Sequence, residues 1–403
     1  MIRDGKRSID LPKIPGKGDY SEDARRQRLS FLSQQTRANL DQVANIGFAS
    51  EQVRGNIESL IGSVEVPVGV AGPLQINGHY AKGLFYGPLA TTEGALVASV
   101  SRGAVALNRA GGVNAACLGE RMLRVPYFEL ETLADALRFA EFVREKLSDL
   151  QAQVGKQSQH AKLVALEPQP LGRVVYVQFI YETADAAGQN MTTSCTWALS
   201  NYLRVAFRKR CGKAMVCHLV ESNLSSDKKV SYQSFLRGRG VRVVVDCELP
   251  KQVVQEVLNT SPKNMVMGFN RAASGAVAAG TLGLNFNIAN VIAALFTATG
   301  QDIACVHESS VGHLHMERGT RDSLYATLEL PCLVIGTVGG GTGLQQQRQC
   351  LDLMGCAGDG GKRKLAEAIA GFCLGLELSI LAAMVADEFT QAHDRLGRNR
   401  PGQ

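Results

Sequence analysis

The segment ESNLSSDKKVS, Glu221 to Ser231, sets Asp227 beside Lys228 and Lys229 in a run of small polar residues. Such a cluster can place charge for chemistry or simply solvate a turn. Other groups raise the same choice. Glu93, in LATTEGALVASVSRGAVAL, has the type of a tuned general acid; alone it reads more simply as a first-turn carboxylate of a helix capped by Thr91 or Thr92. Ser99 and Arg102 stand three apart and share a helix face, which suits an anion or a solvated arginine. Asn290 and Asp302 bracket an apolar helix ended by Gly300, and an asparagine inside such a run needs a polar partner. In IGTVGGGTGL, Gly339, Gly340 and Gly341 leave backbone bare enough to approach a phosphate or a planar ring, or form an ordinary turn. In DAAGQNM, Asp185 to Met191, small residues precede Asn190 at a strand-to-helix turn, where a ligand could dock against backbone.

Two further groups point to less. Cys305, His307, His313 and His315 in CVHESSVGHLH match no zinc spacing, so no metal is expected. GCAGDGGKRK lacks the P-loop glycine spacing and the hydroxyl after Lys362, which argues against nucleotide triphosphate hydrolysis. His393, ahead of DRLGRNRPGQ, is either a frayed terminal residue or a mobile acid.

Positioning these groups takes a mixed fold. Ser21 caps an expected helix over SEDARRQRLSFLSQQT, and VEVPVGVAGPL reads as strand and turn. YFELETLADALRFAEFVREKLSDLQAQ reads as one amphipathic helix, GRVVYVQFIYETAD as a strand and NMTTSCTWALSNYLRVAFRKR as a helix. This helix–strand–helix block, 126–219, reads as a small α/β domain inserted in a larger one. VRVVVDCELP is a further strand. The Ala/Gly-rich segments RAASGAVAAG, NIANVIAALFTATGQD and LAEAIAGFCLGLELSILAAMVADEF read as close-packed helices, usually buried and often at subunit contacts.

Composition bounds the function. The chain has 403 residues, 45% of them hydrophobic, with a net charge of +6 that is spread rather than gathered into a basic stripe; that disfavours nucleic acid and suits anionic small molecules. The N-terminus has no signal-peptide character, and the longest apolar run, 289–298, is too short to span a membrane. Ten scattered cysteines without CxxC pairing fit a reducing compartment, so a soluble cytoplasmic protein is expected.

Six motifs, IGSVEVPVGVAGPL, LATTEGALVASVSRG, DAAGQNM, SDKK…RGRG, NFNIANVIAALFTATGQD and IGTVGGGTGL, occur in one order over residues 45–395. Together they resemble the catalytic domain of the hydroxymethylglutaryl-CoA reductase family, in its class I form. The resemblance implies an α+β fold: a large helix-rich substrate-binding domain (45–125 and 220–390) with an inserted small ferredoxin-like α/β cofactor-binding domain (126–219). An N-terminal segment (1–44) and a mobile tail (391–403) flank them. It further implies homodimers with shared active sites, sometimes paired into tetramers, and NADPH-dependent four-electron reduction of the acyl-CoA thioester to mevalonate and CoA, with NADH the other possible cofactor. By motif position, Glu93, Lys228, Asp302 and His393 correspond to the catalytic glutamate, lysine, aspartate and mobile histidine. Asp185, Gly188, Gln189, Asn190, Met191, Ser158 and Gly339–Gly341 correspond to cofactor contacts, and Ser99, Arg102, Arg124, Asp227, Lys229 and Asn290 to the acyl and catalytic pocket. In that scheme the Lys228 ammonium stabilises the oxyanion formed by hydride addition, and Glu93 protonates the later alkoxide. Asp302 lies near both, orienting Lys228 and disfavouring ionisation of Glu93, and His393 protonates the CoA thiolate.

Several positions depart from the family pattern. Glu221 stands where a serine is usual, Asn270 (with Arg271 beside it) where a lysine is, Asn287 where a histidine is, and Val105 where a basic residue is common. Ser158-Gln159 replaces a Ser-Arg pair, with Lys156, His160 and Lys162 nearby. An acidic Glu221 would repel a substrate carboxylate, so a reductase of another CoA- or carrier-bound acyl thioester is the alternative. A catalytically silent binding paralogue is the third reading.

Overall fold

The structure is a computed structural model and describes residues 12–387. The chain divides between Pro67 and Val68 into two units. In the first, helix α1 (Glu22–Thr36) begins as expected at Ser21, whose side chain accepts a hydrogen bond from the Ala24 N–H, and a short α2 (Asp41–Ala44) follows. Two buried arginines of α1 tie this unit together. Arg28 donates to the carbonyls of Gly16, Asp19 and Leu60, and Arg25 to those of Ala44 and Ile61.

The second unit opens with β1 (Val68–Gly78), β2 (Lys82–Ala90), α3 (Leu96–Arg109) and β3 (Val113–Arg124). Then come β4 (Tyr127–Glu129), α4 (Leu133–Arg144), α5 (Leu147–Gln157), β5 (Lys162–Leu171), β6 (Val174–Glu182), α6 (Gln189–Cys211) and β7 (Cys217–Leu219). The remainder is α7 (Tyr232–Arg237), β8 (Gly240–Leu249), α8 (Lys251–Leu258), α9 (Pro262–Ala279), α10 (Ile288–Thr299), α11 (Val306–Ser309), β9 (His313–Arg318), β10 (Leu324–Leu333), α12 (Gln345–Leu353) and α13 (Gly361–Val385). The stretch expected as one helix from Tyr127 is a three-residue strand followed by two helices. β5, which carries Pro168 and Pro170 and lacked a strand signal, pairs with β6 over its whole length.

β3 is the hinge of the architecture. Residues Asn114–Arg121 pair with β8, while Met122–Arg124 pair with Ile180 and its neighbours on β6. The larger sheet runs on through β8, β10 and β9; the smaller has the order β7-β4-β6-β5, with every neighbour antiparallel. Arg124 therefore stands where one strand passes from the first sheet to the second.

The core of this unit is α13, buried at Gly361 and Lys362 and then from Leu365 to Ala383. It is long and apolar enough to cross a membrane, which corrects the expectation that no segment is; Glu367 and Glu377 interrupt the run in the sequence, and 89% of its most apolar window is buried inside the protein. α3 crosses it so closely that a Cβ on Gly103 would lie 1.9 Å from the Gly375 carbonyl oxygen. The Ala/Gly-rich α9 behaves differently, since its C-terminal half faces solvent and Val277 is 82% exposed. Gly103→Ala should therefore destabilise the protein at the upper end of the about 1–3 kcal/mol typical of overpacking. Gly155→Ala, on an exposed face of α5 with open space around it, should be neutral or stabilising by up to about 1 kcal/mol. Denaturant unfolding of the two variants checks both values.

Candidate active site

The loop before α7 winds tightly, with Asn223, Ser226 and Lys228 all at positive φ (64°, 56° and 56°). Left-handed backbone at a lysine is uncommon and holds only where surrounding contacts impose it. Here they come from below. Arg239, wholly buried, donates to Asp227 Oδ1 at 2.7 Å and Glu308 Oε1 at 2.6 Å. Asp227 also accepts from Arg124 (2.9 Å) and Gln189 (3.2 Å), and Glu308 accepts from the Lys228 N–H at 3.2 Å. Burial opposes ionisation of Asp227, but the Arg239 and Arg124 guanidinium groups outweigh it and hold the carboxyl below its usual range. For Glu308 burial wins and the carboxyl is raised despite Arg239.

Above this floor the Lys228 side chain is 45% exposed and its Nζ lies 3.0 Å from Asp302 Oδ2. That hydrogen bond raises the lysine above its ordinary value. Asp302 is itself fixed: it follows the left-handed Gly300 that ends α10, and its Oδ1 accepts from the Ala304 N–H. Lys229 folds back onto the Asp227 carbonyl at 3.0 Å.

Glu93 lies elsewhere. Neither Thr91 nor Thr92 caps α3; that helix starts at Leu96 behind a left-handed Ala95, and Glu93 occupies the exposed loop before it, its N–H bonded to Thr91 Oγ1. Both carboxylate oxygens accept from Asn290 Nδ2, at 3.1 and 2.9 Å. This is the partner that the asparagine's place in an apolar helix required. Asn290 opens α10 and Asp302 follows its end, so the Glu93 and Lys228 groups of one chain are separated by roughly the 18 Å length of a 12-residue helix. The expectation that Asp302 also acts on Glu93 is thus not met within one chain.

The two loops expected to hold a cofactor come together. The Asp185 carbonyl accepts from the Thr337 and Val338 N–H groups, joining DAAGQNM to the start of the glycine run. The Asp185 carboxylate is engaged by the Gly360 and Lys362 N–H groups at the head of α13, so it anchors the loop instead of facing outward. Gly188, at φ 84°, begins α6, followed by Gln189, exposed Asn190 and Met191. Gly339 and Gly340, both at positive φ, have open space where a Cβ would stand, whereas Gly341 packs on the Gly300 carbonyl. This bare backbone beside a helix start fits a dinucleotide phosphate or ring. Ser158 reaches the same corner, donating to Met191 Sδ and accepting from the His160 and Ala161 N–H groups.

Ser99 and Arg102 do share a face of α3, where both bond to Ser379 of α13. Asn270 and Arg271 line a surface groove of roughly 490 Å3 with Lys263, Met267, Ser274 and Arg318. Asn287 is the residue immediately before α10. Val105 is exposed on α3. Glu221 accepts from the Ser222 and Asn223 N–H groups, Ser225 Oγ and Arg124, so its charge is answered by its own loop and by Arg124 of β3. Asp227, Cys305 and Glu308 bring metal-ligand atoms within 4.8 Å of one another, but both carboxylates already hold Arg239. His393 lies outside the described residues.

Sequence reasoning missed Arg239, Glu308, Lys362 and Glu120. Lys362, almost fully buried, donates to Glu120, Thr183 Oγ1 and the carbonyls of Ala184 and Ala186, beneath the DAAG turn. Burial lowers its ammonium pKa even against Glu120. A lysine just inside an apolar helix was the available signal.

Residues 24–398 match the profile of a family described as hydroxymethylglutaryl-coenzyme A reductase. The chain is 41% identical over 389 residues to the 3-hydroxy-3-methylglutaryl-coenzyme A reductase of Aeropyrum pernix, covering 94% of this chain and 91% of that one. It is 42% identical over 357 residues to the reductase of the same name from Pyrococcus abyssi, covering 87% and 86%. Its fold matches the class II 3-hydroxy-3-methylglutaryl-CoA reductase from Streptococcus pneumoniae bound to NADPH in open conformations, with a TM-score of 0.66, 19% identity and coverage of 89% of this chain and 97% of that one.

Arg239→Ala leaves the buried Glu308 carboxylate with no cationic partner and half-buried Asp227 with Arg124 as its remaining guanidinium, and should cost about 3–5 kcal/mol of stability. Lys228→Ala breaks a half-exposed pair worth under about 1 kcal/mol and should leave the melting temperature nearly unchanged. Thermal and denaturant unfolding of both variants tests the contrast.

Proposed function

The chain belongs to the hydroxymethylglutaryl-CoA reductase family, and from that premise we propose that it reduces hydroxymethylglutaryl-CoA to mevalonate and free CoA. The product feeds isoprenoid synthesis, and we place the reaction in the cytoplasm, with NADPH as reductant. The class I assignment rests on the sequence motifs, since the class II structure compared above bears on fold alone.

The observation that carries the reading is the Lys228–Asp302 pair, an ammonium fixed at 3.0 Å by a carboxylate and still open to solvent. An oriented, exposed cation is what a developing thioester oxyanion needs, and Asp302 keeps it charged. The nicotinamide, when bound, supplies hydride. Gly188, Gln189, Asn190, Met191 and Ser158 on one side, and Gly339 and Gly340 on the other, would hold the dinucleotide. Asp185 and Gly341 support that cradle through backbone contacts. Glu93, held by Asn290, would give the proton to the product alkoxide. His393 would protonate the CoA thiolate. Arg124 and Asp227 set the Lys228 loop, Lys229 and Asn290 face the acyl group, and Ser99 and Arg102 lie on the CoA side.

The order β7-β4-β6-β5, with α4 and α5 in one crossover and α6 in the other, supports reading 126–219 as a ferredoxin-like cofactor domain inserted between 45–125 and 220–390. Glu221 no longer argues for a different substrate, because Arg124 and its own loop neutralise it. Lys263 and Arg271 leave the groove at Asn270 basic. Because Glu93 and Lys228 of one chain hang on opposite ends of α10, a complete site combines Glu93 of one subunit with Lys228 of another. Exposed Val68, Val70, Leu84 and Tyr86 on β1 and β2 are consistent with association.

The purified protein should oxidise NADPH on addition of hydroxymethylglutaryl-CoA; failure with both NADPH and NADH would sink the assignment. Lys228→Ala should lose about 10²–10³-fold in kcat. No loss of activity through deprotonation of Lys228 is expected until pH passes its ordinary value of about 10.5, because its folded pKa is raised and the ammonium persists below that. Mixing inactive Glu93→Gln and Lys228→Ala proteins under subunit exchange should restore about a quarter of wild-type activity, since half of random dimers are hybrids with one intact site. No recovery after demonstrated exchange would place both groups in a single subunit's site.

A further inference from the structure

We infer that Glu377 is a positioning residue for Glu93, acting through the first turn of α10. The inference rests on the reading of Glu93 as proton donor.

Glu377 is fully buried on α13, and among the described residues no lysine or arginine pairs with it. Its two carboxylate oxygens accept the Phe286 N–H at 2.6 Å and the Asn287 N–H at 2.7 Å. These are donors at the start of α10, where Asn287 makes no side-chain cap of its own. A carboxylate from another helix therefore does the work that a capping side chain does elsewhere, at the positive end of the helix dipole. The chain of bonds continues. The Asn287 carbonyl accepts the Asn290 N–H at 3.0 Å, and Asn290 Nδ2 holds both oxygens of Glu93. Glu377 is thus two residues' worth of hydrogen bonds away from the exposed acid, through one rigid turn. An acid at this depth is costly: burial pushes its carboxyl up to about 7 against the pull of the N–H donors. An aliphatic residue would fill the volume without that cost, but would leave the Phe286 and Asn287 N–H groups unpaired and the turn free to shift. A proton donor displaced by a fraction of an ångström loses rate without losing ground-state binding.

The test compares Glu377→Gln, Asn290→Ala and the double variant, using NADPH oxidation with hydroxymethylglutaryl-CoA. Glu377→Gln keeps one acceptor but turns an NH2 toward the other backbone N–H. It should lower kcat about ten-fold or more while both KM values stay within about two-fold. Asn290→Ala should lower kcat similarly, and the double variant should fall no further than the worse single variant. A Glu377→Gln protein that is less stable but has unchanged kcat per folded molecule, or effects that multiply, overturns the inference. Glu377→Asp, which keeps the charge but shortens the reach, serves if the glutamine variant does not fold. If neither folds, amide exchange of the wild type decides: Phe286 and Asn287 should be protected as strongly as the centre of α10, and fast exchange there overturns the inference. An inactive wild type, or a fully active Glu93→Gln, defeats the underlying functional reading instead, so the two failures are distinguishable.

Discussion

The second unit of the protein depends on a single constraint: α13 is buried on every side from Leu365 to Ala383, yet α13 carries four buried polar side chains, each of which takes partners from a different neighbouring element. A buried polar group without a partner costs about 1–3 kcal/mol, and more if charged. Lys362 therefore gathers the carbonyls of the DAAG turn, and Glu367 takes the Tyr80 and Ala81 N–H groups of the β1–β2 hairpin. Glu377 takes the N–H groups ahead of α10, and Ser379 takes Ser99 and Arg102 of α3. Over about 26 Å of helix, one core element thus sets the DAAG turn, a hairpin turn, the helix that links the acidic groups and the helix that follows Glu93.

A division of labour follows between buried and exposed charge. Arg239, Asp227, Glu308 and Arg124 form a floor whose attraction is little screened by water, so the loop above it is held in a backbone shape that a lysine would not choose. Lys228 and Asp302, resting on that floor, stay open to solvent and keep a charge available to a ligand. The strongest ion pairs are concentrated in the lower layer, and the exposed pair above it rests on their geometry.

Helix α10 gives this arrangement its geometry. Its first turn carries Asn290 and thereby Glu93, and its left-handed end at Gly300 delivers Asp302 and thereby Lys228. A rigid rod between the two groups keeps them apart within a chain, and that separation is what makes a site shared between subunits the economical reading. Gly341 packing on the same Gly300 ties the glycine run to this end of the rod.

Much of this was legible in the sequence. Ser21 announced α1, β-branched runs announced β6 and β8, and an asparagine within an apolar run announced a partner. Motif order, through the family resemblance, singled out Glu93, Lys228, Asp302 and the two glycine-rich loops as candidates. Local pattern failed where tertiary contacts override propensity. β5 contains two prolines and is a strand only because β6 lies beside it, and Glu93 sits outside its helix because a left-handed Ala95 starts α3 late. The sequence by itself determined which residue types are present and the periodicity that buries α13. Only the tertiary structure decided which partner each buried charge meets: that Arg239 lies under Asp227, that Glu221 is answered by Arg124, and that Glu377 reaches α10. The physical reason is that periodicity reports which face of an element avoids water, whereas a hydrogen bond between residues ninety positions apart depends on a distance that no local pattern encodes.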